Sequence, residues 1–355
     1  MPLPLTFGRI GRAALAGVLA CAVLAQPAAA EVEPARPAPG TAAGAPQRHA
    51  LDALEPRRAA RIRQLIADPE GACLPAAAAA ADGSHAQAAL APAAGALRAS
   101  PVGAWLLDQA AARGVLICLD PATPLAAYYR AQPRLIGVQA SLPPAARTLF
   151  LAHELAHVPQ HPRYSNNRAF PVEDLILMHR LREATAEAIA TRVLWQMRRR
   201  GHAEPWRAKL MTGYGDIARA FAAVMADAAD RRRALAGEPE LRATRAAFEQ
   251  WFASPLRLQQ YDSHMLDHVE RIAQDRLGLI PPRRRLSERF LRAIAWHAGA
   301  TFLSADRAPP LSGASYRTRL SSGNAVRLAH ILRAGAGHRA GDAAAAAADA
   351  AAPRP

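Results

Sequence analysis

Lysine is almost missing from this chain: of 44 basic side chains, Lys209 alone is not an arginine. A formal charge of +15 would otherwise point to nucleic acid, but arginine in place of lysine, together with heavy alanine use, is the pattern of a GC-rich genome. Aromatic residues are also few, at 5%. The basic clusters Arg57-Arg58, Arg198-Arg199-Arg200, Arg231-Arg232-Arg233 and Arg283-Arg284-Arg285 lie far apart in the chain. They form no single stripe with interleaved aromatics on which bases could stack, which argues against specific nucleic-acid binding. Solvated helix faces account for them, and the residual functional reading is a weak, non-specific attraction to an anionic envelope surface.

A long apolar run is lacking as well. Ala13 to Ala25 is too short to span a bilayer. With Arg9 and Arg12 before it and Ala28-Ala29-Ala30 ahead of Glu31, it reads as an export signal over residues 1–30, cleaved near Ala30. The mature chain is then expected in a Gram-negative type of periplasm or outside the cell, with no transmembrane anchor. Val18-Leu19-Ala20-Cys21 matches a lipoprotein processing site only loosely, because Leu19 is large for its position, so lipidation of Cys21 is disfavoured. Cysteine is scarce, at three residues. Signal removal leaves Cys73 and Cys118, an even pair in an oxidising compartment and therefore a candidate disulfide. Internal repeats are absent too.

What remains is a 355-residue chain, 51% hydrophobic, able to bury a full core in one main domain with appendages. Residues 31–56 are rich in Pro, Ala and Gly and read as a flexible leader, and 334–355 as a disordered Ala-rich tail. Between them, residues 57–280 form the expected domain and 281–333 a helical extension. Helices are expected over Arg57–Asp68, Ala104–Arg113 (stopped by Gly114), Val172–Arg200, Trp206–Ala236, Glu240–Phe252, Asp262–Leu277 and Ser287–Phe302. The span Ala76–Ala94 stays open between helix and linker. Val115–Leu119 and Leu135–Ala140 are short β-type runs that could make a small sheet. The fold class expected is mainly α (α+β).

Ser141 followed by Pro143 and Pro144 is a helix start, and the helix it opens must end near Pro159. Its last turns carry His153-Glu154-Leu155-Ala156-His157, within the apolar run LFLAHELAHVPQH. Residues four apart share a helix face, so the two imidazoles can ligate one metal ion while Glu154 reaches a water bound to it. Such a zinc site needs a third protein ligand. His161 lies beyond Pro159, without the Gly-containing spacer that would return the chain to the metal, and is disfavoured. The next helix offers His179, Glu183 and Glu187, stacked four apart. The small residues of Arg182-Glu183-Ala184-Thr185-Ala186-Glu187-Ala188, with Ala152 and Ala156 opposite, would let two helices approach closely. In such a pairing the first acid ligates zinc and the second accepts the free N–H of a ligand imidazole. Nothing around Cys73 supports the alternative that it caps the metal as a latency switch.

At these residues the chain resembles the Glu-zincin metallopeptidases, thermolysin-like enzymes with His-Glu-x-x-His followed on a later helix by Glu-x-x-x-Asp or a variant. LFLAHELAHVPQH followed by RLREATAEA looks more specifically like a bacterial domain family of unknown function described as metallopeptidases. The likeness covers roughly Leu116 to Trp195, continuing toward Tyr261-Asp262, and leaves both ends unmatched. It implies a minimal zincin-like core, one Zn2+ held by His153, His157 and Glu183, and Glu154 as general base acting on a peptide or protein substrate. Glu187 stands where thermolysin-like enzymes place Asp, so an exchange of roles between Glu183 and Glu187 stays open. Tyr261, His264 and His268 are candidate transition-state donors, against the alternative of a hydrated helix face. His179 reads as packing or capping. Leu135–Ala140 is a candidate edge strand on which a substrate peptide could add, against a buried strand without that role. Two other functions compete: a non-catalytic basic envelope-binding protein, and a zinc amidase acting on cell-wall material.

Overall fold

Four short runs of apolar and aromatic residues build a mixed sheet in the computed structural model, which describes residues 56–76, 85–160, 170–230, 238–274, 285–294, 296–297, 300–303 and 310–334. The strands are β1 (Cys73–Pro75), β2 (Leu116–Leu119), β3 (Ala127–Arg130) and β4 (Leu135–Val138), in the order β1-β2-β4-β3. β2 and β4 run parallel, and the outer strands pair antiparallel to them. Alternation sends Ile117, Leu119, Tyr129, Ile136 and Val138 into the main core, and Cys73, Cys118, Tyr128 and Leu135 to the opposite face. Cys73 and Cys118 are cross-strand partners and are joined by a disulfide. Tyr128 pairs with Gly137, and the close packing of its ring requires glycine, since a Cβ there would lie 2.4 Å from the ring.

The sheet order corrects one expectation. β4 is flanked on both sides, so the run Leu135–Ala140 is not an edge, and the strands that end the sheet are β1 and β3. Leu135, Ile136 and Val138 are all fully buried, the pattern of a strand covered on both faces.

Around the sheet lie eleven helices between residues 56 and 294, among the described residues. α1 (Pro56–Ala67) and α2 (Pro69–Ala72) adjoin the disulfide face, where Leu65 meets the cystine and Tyr128. α3 (His85–Arg98) gives the ambiguous alanine-rich span a helical end. α4 (Pro101–Ala112) begins with Ser100 accepting the Gly103 N–H at 3.0 Å, and the chain leaves it through Gly114 at φ 63°. α5 (Pro144–His157) and α6 (Val172–Arg199) carry the candidate site, and both contribute to the main core. The span expected as one helix from Trp206 is two, α7 (Glu204–Leu210) and α8 (Gly215–Asp230). Thr212 Oγ1 accepts the Tyr214 N–H at 3.2 Å in the intervening turn, and a Cβ at Gly215 would meet the Leu210 carbonyl at 2.4 Å. This side-chain turn competes with the helix that the apolar spacing favours.

α9 (Glu238–Phe252) and α10 (Pro255–Gln274) follow. The expected helix Ser287–Phe302 is shorter: α11 (Glu288–Ile294) gives way to β5 (Trp296–His297), paired with β6 (Ala300–Thr301). Aromatic and β-branched residues at Trp296 and Thr301 favour this pairing. A last helical stretch covers 322–334. No described helix is long and apolar enough to cross a membrane. The export signal with Cys21, the leader up to residue 55, His161 and its loop, and the tail after 334 lie outside the described residues.

Candidate metal centre

The two motif histidines occupy the last turns of α5, where four-residue spacing turns both imidazoles to one side. Their Nε2 atoms are 3.2 Å apart. Ala152 and Ala156 on α5, with Ala184 and Ala186 on α6, are fully buried. These small side chains let the second helix approach until Glu183 faces both imidazoles. One carboxylate oxygen lies 3.5 Å from His153 Nε2, and the other 3.7 Å from His157 Nε2. A ligand atom from each of His153, His157 and Glu183 falls within 4.8 Å of the others.

All three residues are buried, and neither oxygen of Glu183 has a hydrogen-bond partner among the described residues. An ionised carboxylate so placed is costly unless a cation compensates it. Two imidazoles and a carboxylate converging on one point suit a divalent first-row metal, so the donor set fits the ion that the motif requires.

The outer nitrogens of the two rings are also fixed. His153 Nδ1 lies 2.8 Å from Glu187 Oε2, and because a carboxylate only accepts, Nδ1 carries the proton. His157 Nδ1 lies 2.8 Å from Gln160 Oε1. Gln160 Nε2 donates to the Arg182 carbonyl at 3.1 Å, which sets the amide so that its oxygen faces the ring. Both imidazoles therefore carry their proton on Nδ1 and turn an unprotonated Nε2 toward Glu183. Burial, followed by the neighbouring His153 and Arg182, pushes the pKa of His157 well down and keeps it neutral, the form in which an imidazole can hold a metal. Burial alone would raise Glu187, but the Lys209 ammonium and the His153 N–H hold it down at about 2. Lys209 Nζ contacts Glu187 Oε1 directly.

Glu154 is buried on the same turn as His153. Tyr261 and His264, one turn apart on α10, have their rings 5.9 Å apart, and Tyr261 lies 5.8 Å from the His179 ring. His264 and His268 both act on His179, whose pKa is lowered well below the usual histidine range by burial first and then by Arg182 and these two rings. Tyr261, His264 and His268 thus gather around His179, one turn from Glu183, and supply none of the three converging ligand atoms. Tyr261 Oη is 2.9 Å from Tyr214 Oη.

Gln160, Lys209 and Tyr214 escaped the sequence reading. Gln160 sits three residues after His157 and could have been noticed by that spacing. Lys209 carried a different signal, as the one lysine in a chain that uses arginine everywhere else.

A family model matches residues 58–301, more than half of the chain, including the sheet and both helices of the metal centre. No curated protein and no solved structure matches. The matched span contains the buried His-His-Glu set, and the chain belongs to the family described as “Putative metallopeptidase family (DUF6782)”.

Proposed function

We propose that the protein is a zinc metallopeptidase of the Glu-zincin type, in which His153, His157 and Glu183 hold one Zn2+ and Glu154 is the general base. The observation that carries this reading is the fully buried Glu183 carboxylate, without hydrogen bonds among the described residues and turned to the Nε2 atoms of two imidazoles. When bound, zinc supplies Lewis acidity and lowers the pKa of a coordinated water toward neutrality.

Glu154 follows His153 on α5, takes the proton of the attacking water, and returns it to the leaving amine. Glu187 accepts the His153 N–H and keeps that ring in the ligating tautomer. Glu187 is tied to both His153 and Lys209, which favours Glu183 over Glu187 as the ligand. His264 and His268, beside His179 on α10, are the donors proposed for the developing oxyanion, with Tyr261 held by Tyr214 as the alternative. An extended substrate adds at β3, which ends the sheet, rather than at β4. The export reading of residues 1–30 and the Cys73–Cys118 disulfide together favour a periplasmic or secreted enzyme.

The test uses purified mature chain, its metal content, and cleavage of a mixed peptide library. Glu154→Gln should keep stoichiometric zinc and lose roughly 10²- to 10⁴-fold in turnover. A parent chain without bound metal, or cleavage unchanged by the substitution, refutes the reading. Turnover of cell-wall amides with none of peptides would move the substrate to the amidase alternative.

A further inference from the structure

The geometry points to Lys209 as a positioning residue for the metal centre: its ammonium pins the Glu187 carboxylate to His153 and so commits Glu183 to the metal. This inference rests on the zinc reading above and extends it to a residue that touches neither metal nor substrate.

Four observations carry it. Glu183 and Glu187 stand one turn apart on α6, and both face His153, at 3.5 Å from Nε2 and 2.8 Å from Nδ1 respectively. Two acids so placed could exchange roles, and the sequence leaves that choice open. Lys209 breaks the symmetry, because it pairs with Glu187 Oε1 while Glu187 Oε2 takes the His153 N–H. With both oxygens engaged, Glu187 is held off the metal, whereas neither oxygen of Glu183 is hydrogen-bonded among the described residues.

The ammonium is itself held in place. α7 packs against both α5 and α6. Trp206, three residues before Lys209, is wedged against Trp195 and Phe221 with ring centroids at 5.1 and 6.4 Å. On the other side, the Lys209 carbonyl accepts from Thr212 Oγ1 at 2.7 Å. Lys209 is fully buried, and among the described residues Glu187 is the only side chain that pairs with it.

The residue type also fits. Arg180, equally buried, spends its guanidinium on Asp262, Thr318 and the Tyr316 carbonyl. One carboxylate oxygen offers a guanidinium's several N–H groups too few partners, whereas a compact ammonium suits a single acceptor. In a chain of arginines, the single lysine stands where a point charge is needed.

The experiment measures zinc affinity by chelator competition on four folded proteins: the parent, Lys209→Met, Glu187→Gln and the double variant. Lys209→Met should weaken zinc binding about 10- to 100-fold, the range for losing an outer partner of a ligand. If Lys209 acts through Glu187, the same substitution should change affinity less than about twofold in the Glu187→Gln background, because the two effects are then not additive. The visible spectrum of the Co2+-loaded Lys209→Met protein should shift from the parent spectrum as the ligand set loosens.

Equal losses in both backgrounds would mean a general packing role and overturn the inference, as would unchanged affinity in folded Lys209→Met. A parent that holds no metal overturns the zinc reading together with this one, whereas a metal-binding parent matched by Lys209→Met overturns this one alone. Should Lys209→Met fail to fold, Glu187→Gln and the double variant, which leaves no buried charge unpaired, decide the matter. Their affinities should agree within about twofold, and a larger gap refutes action through Glu187.

Discussion

In the proposed metal centre each imidazole is held by a different outer partner: a charged carboxylate for His153 and a neutral amide for His157. Gln160 both accepts the His157 N–H and donates to the Arg182 carbonyl, so it connects the end of α5 to the body of α6. Gln160→Ala should therefore leave a buried N–H unmet and weaken binding of the proposed metal about 10- to 100-fold, read by chelator competition with Zn2+. Affinity within about twofold of the parent would show that the ring holds its tautomer without the amide. The two histidines were legible in the sequence because helix periodicity alone puts residues four apart on one side. Lys209 was not, because its partner lies 22 residues away and on another helix. Nothing local to Ala208-Lys209-Leu210 distinguishes a buried ammonium from a solvated one. Its rarity was the only trace.

Helices were easier to read than strand order. The long α6 follows from unbroken apolar spacing and acidic residues in its first turn, Glu173 and Asp174. By contrast, each strand has only three or four residues, too few to specify neighbours by pattern. Leu135–Val138 reads equally as an edge or a buried strand, because nothing within it reveals that it turns back beside β3. β1 is the shortest strand of this sheet, and its pairing with β2 is reinforced by the Cys73–Cys118 bond, which closes a separation of 45 residues. In the chain-entropy account, a loop of that size stabilises the fold by up to about 4 kcal/mol. Replacing both cysteines with alanine should lower unfolding free energy by ~2–4 kcal/mol in denaturant titrations, with affinity for the proposed metal almost unchanged, since the bond lies on the sheet face away from the main core. A loss of metal together with stability would show that the sheet positions α5 more directly than its packing implies.

The whole molecule is closed by charges that reach across long stretches of sequence. Arg180 on α6 holds Asp262 of α10 through two contacts of 2.6 Å and also reaches the Tyr316 and Thr318 backbone. Asp174 takes the Leu286 N–H at 2.9 Å and Arg317 at 2.6 Å. Residues beyond the family match are thus fastened to the helix that carries Glu183 and Glu187. Glu288 adds a fastening that is sensitive to acid. Its carboxylate accepts the Leu311 N–H at 3.0 Å, and the Ser312 N–H and hydroxyl each at 3.1 Å, with Arg292 at 2.9 Å. Burial opposes ionisation there, but the two backbone donors, the hydroxyl and Arg292 outweigh it, so the folded pKa lies below the ordinary glutamate value. A carboxylate with a depressed folded pKa contributes stability that is fully present above its unfolded pKa and disappears as pH falls through the folded one. The Leu311 and Ser312 amide shifts should therefore titrate together, with a midpoint below the ordinary glutamate range. Glu288→Gln should remove that titration and loosen 310–317 at every pH. Amide shifts that stay flat through this range, or the same titration in Glu288→Gln, would show that another group fastens the segment.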